Sequence, residues 1–445
     1  MRAMKDSGIE WIGEIPQEWS TIRLRSRFSF GKGLPITKAD LTESGIGVVS
    51  YGQIHSKANI GTTIKPELIR YVDCKYLNSN ASSLVNNGDF IFADTSEDIS
   101  GCGNCVYVDA NGPLFAGYHT MILRPVEELS TKYYSYLFAT DAWRSQIRAQ
   151  ASGVKLFSIT QKMLRDALLI EPSEEEKVQI VKYLDEKCEA IDALITAKEK
   201  TNALLKERRQ SIIYEAVTKG LNPDAPMKDS GVEWIGEIPE HWTRIALKYC
   251  IKQVGSGTSV NAEDRPANTD EMGVLKTSCV SSGCFAALEN KAILENEYDR
   301  ATCPVKAYTV IVSRMNTPDL VGACGYVEED HPNLYLPDRL WQVEFNKDCV
   351  AKYMWYFLTS KYVRNYYASV CTGTSGSMQN ISQDQFGAIA FFKPSKTEQQ
   401  SIAEYLDREC ETLLSLIDVN EQSLQKLKEY RQCIIYEAVT GKIEV

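Results

Sequence analysis

The chain repeats itself, and the repeat limits what it can fold into. Met4-Lys5-Asp6-Ser7-Gly8-Ile9-Glu10-Trp11-Ile12-Gly13-Glu14-Ile15-Pro16, closed by Trp19, returns as Met227 through Pro239, closed by Trp242, with thirteen of sixteen positions identical. A second pair, Leu205 to Thr218, returns as Leu427 to Thr440 with twelve of fourteen identical. The offsets are 223 and 222 residues. The chain is therefore two units of one design, each with a fixed head and a fixed tail, while the stretches between them diverge. A frame that is kept while its inserts vary uses the inserts to recognise two different things.

The tails read as long helices. No proline or glycine occurs from Glu174 to Thr218, and Pro172-Ser173 followed by three glutamates is a helix start with acids on the positive end of the dipole. Lys219-Gly220 stops the helix and Pro223 confirms the stop. Apolar residues fall at heptad spacing at Val181, Leu184, Cys188, Ile191, Ile195, Leu205, Ile212 and Ala216. The stripe returns after Pro394-Ser395 at Ala403, Leu406, Cys410, Leu413, Ile417, Leu424, Leu427, Ile434 and Ala438. At 1.5 Å per residue each helix is roughly 60 Å long and cannot bury its stripe alone, so the other copy is the expected partner in an intramolecular coiled coil. Lys198, Asn202 and Arg209 interrupt one seam, Asn420 and Arg431 the other. Such residues either fix register or lie exposed at an imperfect seam.

Regions of about 20–171 and 243–393 read as β-rich and mixed, with short apolar runs bounded by glycine, asparagine and proline. The fold expected is α+β, with a β-rich domain over 1–171, a helix over 172–226, a second β-rich domain over 227–393 and a second helix over 394–445, the whole an internal pseudo-twofold repeat.

Composition narrows the chemistry. Thirteen scattered cysteines in a chain whose N-terminus lacks the apolar stretch of a signal peptide argue for reduced thiols, and with no apolar run of membrane-spanning length the reading is a cytoplasmic protein off the membrane. Cys102-Gly103-Asn104-Cys105 is the one Cys-x-x-Cys; only four histidines exist, and Cys105 aligns with Cys324 while Cys102 has no twin, so no metal site is expected. The net charge is −10, with 18 basic and 18 acidic residues in the first β-rich region and 16 against 20 in the second. This argues against tight, unaided DNA binding and leaves room for DNA contact within a complex. There is no Asn/Asp-Pro-Pro-aromatic motif of an amino-methyltransferase, no Gly-x-Gly-x-x-Gly after a strand, no phosphate-binding loop and no His-Glu-x-x-His. Glu289-Asn290-Lys291 has the Glu-x-Lys spacing of a nuclease core but no upstream Pro-Asp at a suitable distance. No catalytic residues are expected, and the chain reads as a recognition or scaffold protein.

Heads and tails together carry a signature. Trp-Ile-Gly-Glu-Ile-Pro-x-x-Trp at Trp11–Trp19 and Trp234–Trp242, and the Pro-x-x-x-Glu-Gln/Lys helix start at Pro172 and Pro394, occur twice in the same order. In this the chain resembles the specificity subunits of type I restriction–modification systems over essentially its whole length. The resemblance implies two target-recognition domains, each reading one half of a bipartite asymmetric site on double-stranded DNA. It also implies an antiparallel helix pair that spaces the domains and docks two methylation subunits, joined by motor-nuclease subunits. S-adenosylmethionine, ATP and Mg belong to those partners, with no cofactor in this chain. Two similar but unlike halves imitate a dimer, and where a dimer reads a palindrome this chain should read two different half-sites. The alternative is a protein-interaction scaffold with two variable binding domains and no DNA.

Base-reading residues should sit on loops where the copies diverge. Those candidates are Ser50, Tyr51 and Gln53 against Lys276, Thr277 and Ser278; Asp94, Thr95 and Ser96 against Arg314, Asn316 and Thr317; and His119 against Arg339. Phosphate contacts are expected from Arg23, Arg25, Arg27 and Lys32, and from Arg244, Lys248 and Lys252. Trp11 and Trp234, identical in both copies, are expected to be structural anchors.

Overall fold

The computed structural model describes residues 2–59, 61–127, 130–153, 155–232, 235–375 and 378–445. It forms two compact units, Met1–Lys198 with Gln422–Val445, and Glu199–Glu421. The units cut across the linear segments, because each takes one β-rich domain together with a part of both long helices. No described helix is long and apolar enough to cross a membrane, and no described cluster of His, Cys, Asp and Glu is suited to hold a metal.

The first β-rich domain is built on two larger sheets beside two-stranded pairs. One is antiparallel with spatial order Cys105–Tyr107, Phe90–Ala93, Thr120–Pro125, Phe28–Lys32. The other has the order Leu41–Thr42, Arg70–Val72, Ile46–Val49, Leu114–Ala116, Leu84–Val85, with one parallel pair, Leu114–Ala116 on Ile46–Val49. Phe90-Ile91-Phe92-Ala93 is apolar throughout because both its faces are covered. Phe90 and Phe92 pack on the helix Lys132–Ala139, while Ile91 and Ala93 enter a second cluster with Val49 and Ala116.

The second β-rich domain repeats this arrangement strand for strand. Its four-stranded sheet runs Cys324–Tyr326, Val310–Ser313, Leu340–Phe345, Ile251–Ser256, and its five-stranded sheet Ala262–Glu263, Asn290–Ile293, Gly273–Leu275, His331–Tyr335, Pro304–Val305. The parallel pair recurs between Gly273–Leu275 and His331–Tyr335. Cys324 pairs with Val312 as Cys105 pairs with Phe92, which confirms that alignment of the two copies.

The long helices span Glu174–Lys219 and Lys396–Val439. All the seam positions named above are buried or half-buried. Among the interrupting polar residues, Asn202, Asn420 and Arg431 bond across the seam. In the first unit Arg431 grips Asp192 through Nε and Nη2 at 2.8 and 3.1 Å. In the second, Asn420 donates to the Asn202 amide oxygen at 2.8 Å, and Asn202 is only 7 % exposed. Within each unit the later part of one helix lies beside the earlier part of the other, so the pair is antiparallel.

Head and tail motifs are fixed for one reason: they bond to each other. Trp19 Nε1 donates to Glu176 at 3.0 Å, and Trp242 Nε1 donates to Glu398 at 3.0 Å. Both tryptophans are fully buried. Each glutamate N–H in turn donates to the hydroxyl oxygen of the serine three residues before it, Ser173 or Ser395, at 3.2 Å, which caps the helix. The tail glycines finish the lock: Gly441 takes φ +69 against Pro16 and Trp19, and Gly220 φ +73 against Pro239 and Trp242. Trp11 departs from the expectation of an anchor. It is 42 % exposed, while Ile9, Ile12, Ile15 and Trp19 hold the first head. Trp234 lies outside the described residues.

Candidate nucleic-acid interface

The loops at one end of the sheets gather the divergent residues. In the first domain the Asp94 N–H donates to the His119 carbonyl at 3.1 Å, and the Ile159 N–H donates to the Asp94 carbonyl at 2.8 Å. In the second domain the Arg314 N–H donates to the Arg339 carbonyl at 3.1 Å, and the Ile381 N–H to the Arg314 carbonyl at 3.0 Å. The backbone frame is thus the same, and Asp94 with His119 in one copy stands where Arg314 with Arg339 stands in the other. The strand pairs refine the alignment by one position. Thr95 opposes Ser158 as Met315 opposes Asn380, and Ser96 opposes Phe157 as Asn316 opposes Gln379. Ser96 therefore matches Asn316, and Thr317 lies one step beyond.

Around this frame the first domain builds a concave surface lined by Tyr51, Gln53, His55, Asn104 and Tyr118 together with Lys38, Lys57, Glu97 and Asp98. His119 is exposed, holds φ +53, and its Nδ1 lies 3.4 Å from Asp94 Oδ1. Its ring is 5.4 Å from that of Tyr51, and the Tyr51 ring is 5.8 Å from that of Tyr118. His55 Nε2 contacts the Thr95 carbonyl at 2.9 Å and its Nδ1 contacts Asn104 Nδ2 at 3.0 Å. A carbonyl can only accept and an amide NH₂ can only donate, so the ring carries its proton on Nε2. The Ser100 hydroxyl at 2.6 Å and the Gly101 N–H at 2.7 Å hold the nearby Asp98 carboxyl below the usual carboxylate range. His55, Asn104 and Tyr118 were not among the sequence candidates. Tyr118 adjoins His119 and His55 lies two residues past Gln53, which is the signal that could have found them.

Not every candidate faces out. Ser50 is 1 % exposed; its N–H donates to the Gln53 side-chain oxygen at 2.9 Å to start a single helical turn. Ser96 is 3 % exposed. Lys276, Thr277 and Ser278 open the matching turn in the second domain, where the Ser278 hydroxyl donates to Glu289 at 2.5 Å. Arg314 Nε donates to the Asp338 carbonyl at 2.8 Å, the Asn316 side chain reaches the Ser313 hydroxyl at 3.3 Å, and Arg339 and Thr317 are exposed.

The cations expected at phosphates divide by strand register. Lys32 pairs with Met121, two residues from His119, and so shares the end of the sheet that carries the divergent loops. Arg27 precedes the other end of that strand, about 16 Å away at 3.3 Å per residue. It bonds Glu171 at 3.2 Å and Glu127 at 3.4 Å. Arg23 and Arg25 share Asp166 at 3.1 and 3.3 Å. In the second domain Lys252 lies at the corresponding far end and bonds Glu344 at 3.0 Å, Arg244 reaches the Ser230 carbonyl at 3.5 Å, and Lys248 lies over the Tyr249 ring.

Comparison with known proteins places this architecture. A family profile described as the type I restriction modification DNA specificity domain matches residues 16–206. The EcoKI specificity subunit of Escherichia coli K12 is 21 % identical over 375 residues, covering 81 % of this chain and 76 % of that protein. The MjaVIII specificity subunit of Methanocaldococcus jannaschii is 22 % identical over 437 residues, covering 97 % and 94 %. A chain from a solved structure described as showing complex assembly and conformational transition of the type I R-M system shares the fold with a TM-score of 0.65. It is 15 % identical and the match covers 96 % of this chain and 99 % of that one.

Proposed function

We propose that the chain is a specificity subunit of the type I restriction–modification kind, as its similarity to such subunits supports, and that its two β-rich domains read the two unlike halves of one asymmetric DNA target. One observation carries this division of labour. Two loops bonded by the same backbone hydrogen bonds present Asp94 and His119 in one copy and Arg314 and Arg339 in the other. Equal backbone with unequal donors and acceptors is what two different base sequences require. An exposed arginine reads guanine through O6 and N7, whereas the surface of Tyr51, Gln53, His119 and Asp94 offers stacking and mixed hydrogen bonding. Lys32, Lys38 and Lys57 supply phosphate contacts to the first domain.

The helix pair serves as the ruler. At 46 and 44 residues the helices run about 69 and 66 Å at 1.5 Å per residue. Register locked by Asp192–Arg431 and Asn202–Asn420 keeps that ruler from sliding. Two methylation subunits dock on this frame and motor-nuclease subunits join them; S-adenosylmethionine, ATP and Mg act on those partners. A balanced-to-acidic surface fits a chain that takes part of its positive field from partners. The test is modified-base sequencing of genomic DNA from cells with and without this gene. Loss of adenine methylation at one asymmetric, gapped motif supports the reading; an unchanged methylome in cells that express the methylation subunits refutes it.

A further inference from the structure

The two copies of the helix pair differ in how a shared arginine at the seam is paired. In the first unit Arg431 is held by both oxygens of Asp192. Its counterpart 222 residues earlier is Arg209, and the counterpart of Asp192 is Leu414. The surroundings are otherwise retained. Tyr136 and Lys132 bond Asp185 at 2.7 Å each, as Tyr356 and Lys352 bond Asp407 at 2.8 and 3.0 Å. Arg209 is 9 % exposed, and its Nε and Nη2 are buried with no hydrogen-bond acceptor. The second unit has kept the guanidinium and lost its carboxylate.

Arg209 lines a groove of about 1050 Å³ that lies wholly within the second unit. Trp355, Tyr326 and Phe285 form its apolar wall, and Leu414 is 40 % exposed on the helix side. Glu328, Glu329, Asp407, Glu411 and Asp418 outnumber Lys352 and His331 in the remainder and leave it net acidic, with Lys352 bonded to Glu328 at 3.1 Å. That rim repels a bare anion, a nucleic-acid backbone included, and favours cations. A guanidinium that meets the Cys410 thiol but no carboxylate through Nε or Nη2 selects one carboxylate set among basic residues, on a surface apolar enough to cover Trp355.

We propose that the groove at Arg209 seats an aspartate or glutamate of a methylation subunit, flanked by that subunit's basic side chains, and that the first unit, whose Arg431 is already paired, offers no such seat. The inference rests on the functional reading above and adds to it. The two docking positions on this frame are unequal: one partner copy binds more tightly and assembly is stepwise.

The test uses the full chain titrated with its co-encoded methylation subunit and followed by native mass spectrometry and sedimentation. Wild type should bind two copies with affinities at least tenfold apart. Leu414→Asp places the missing carboxylate inside the chain, as Asp192 does in the first unit. It should raise the melting temperature of the free chain and weaken the tighter step about tenfold. Arg209→Leu removes the buried charge and should weaken the same step while leaving the other unchanged. Two equal affinities in wild type, or both variants binding as wild type does, overturn the inference and leave the functional reading standing. A folded wild-type chain that binds no methylation subunit overturns both.

Discussion

Arg339→Ala should broaden the target at one half-site and leave the other untouched. The Arg339 carbonyl accepts from the Arg314 N–H at 3.1 Å, a bond that alanine retains, so the loop keeps its path. Only the exposed guanidinium is lost. A base contact by such a side chain discriminates by about 1–3 kcal/mol, which is roughly 5- to 150-fold in occupancy against the wrong base. The assay is the methylome of cells carrying the variant. Degeneracy should appear at one or two base pairs of one half-site, with total methylation at the original motif reduced but present. His119→Asn is the mirror experiment, and asparagine is the replacement because His119 holds φ +53, which asparagine tolerates. It should relax the other half-site. Lys248→Ala, at the far end of the second domain, should change no base. If Arg339→Ala assembles normally and relaxes both half-sites equally, or neither, then the end of the sheets identified here is not the reading surface.

Three further outcomes follow from the frame. Asn202→Leu should destabilise the second unit by about 1–2 kcal/mol in denaturant titration by removing the acceptor that the Asn420 amide uses across the seam, whereas Leu at both positions should recover part of that loss and let the helices slip, seen as heterogeneous spacing in cross-linking. Burial alone would raise the Glu176 carboxyl, but donation from Arg2 and Trp19 holds it below the usual range. The stability it contributes is therefore full above the unfolded pKa of about 4.3 and is lost as pH falls through the lower folded value; Glu176→Gln should flatten the melting temperature across that acid window and lower it at pH 7. Tyr308 holds φ +58 and is 70 % exposed, where the first domain has Gly88 at φ +93. Tyr308→Gly should relieve strain of about 1 kcal/mol and raise the melting temperature of the second unit by a few degrees; a lower value would mean that Tyr308 makes a contact worth more than its strain.

The architecture was largely legible because its signals are local or repeated. Heptad spacing from Val181 to Ala216 needs no knowledge of the rest of the chain, and duplication showed which segments belong to the frame. What could not be read depends on contacts distant in sequence. Trp19 and Glu176 are each conspicuous, yet their bond joins residues 157 apart, and only the folded chain shows why both are repeated. The phosphate candidates failed to separate for a related reason. Arg27 and Lys32 look alike as cations five residues apart, but strand register sends them to opposite ends of a sheet. Ser50 and Ser96 have the right chemistry for reading bases, and burial withdraws both.

Divergence between the copies pointed to loops that share one end of the sheets, but divergence alone is not a sign of recognition. Lys177 and Gln399 occupy matched positions after the two helix starts, differ completely in charge, and are both fully buried. Lys177 Nζ bonds the Tyr134 hydroxyl, Glu171 and Glu174. The Gln399 side chain accepts from the Val350 N–H and donates to the Asp348 and Pro394 carbonyls. Each residue satisfies a different set of buried partners, so the pair records two solutions to one packing problem. Identity is equally ambiguous, since Trp11 is part of the repeated head and is largely uncovered. The informative class is narrower: positions whose backbone is held the same way in both copies, whose side chains differ, and whose side chains reach solvent. His119 and Arg339 meet all three conditions. Leu414 meets them too, facing its groove where its counterpart Asp192 is committed to an internal pair. By the same criterion, then, the frame itself carries one position open to a partner, outside the divergent loops.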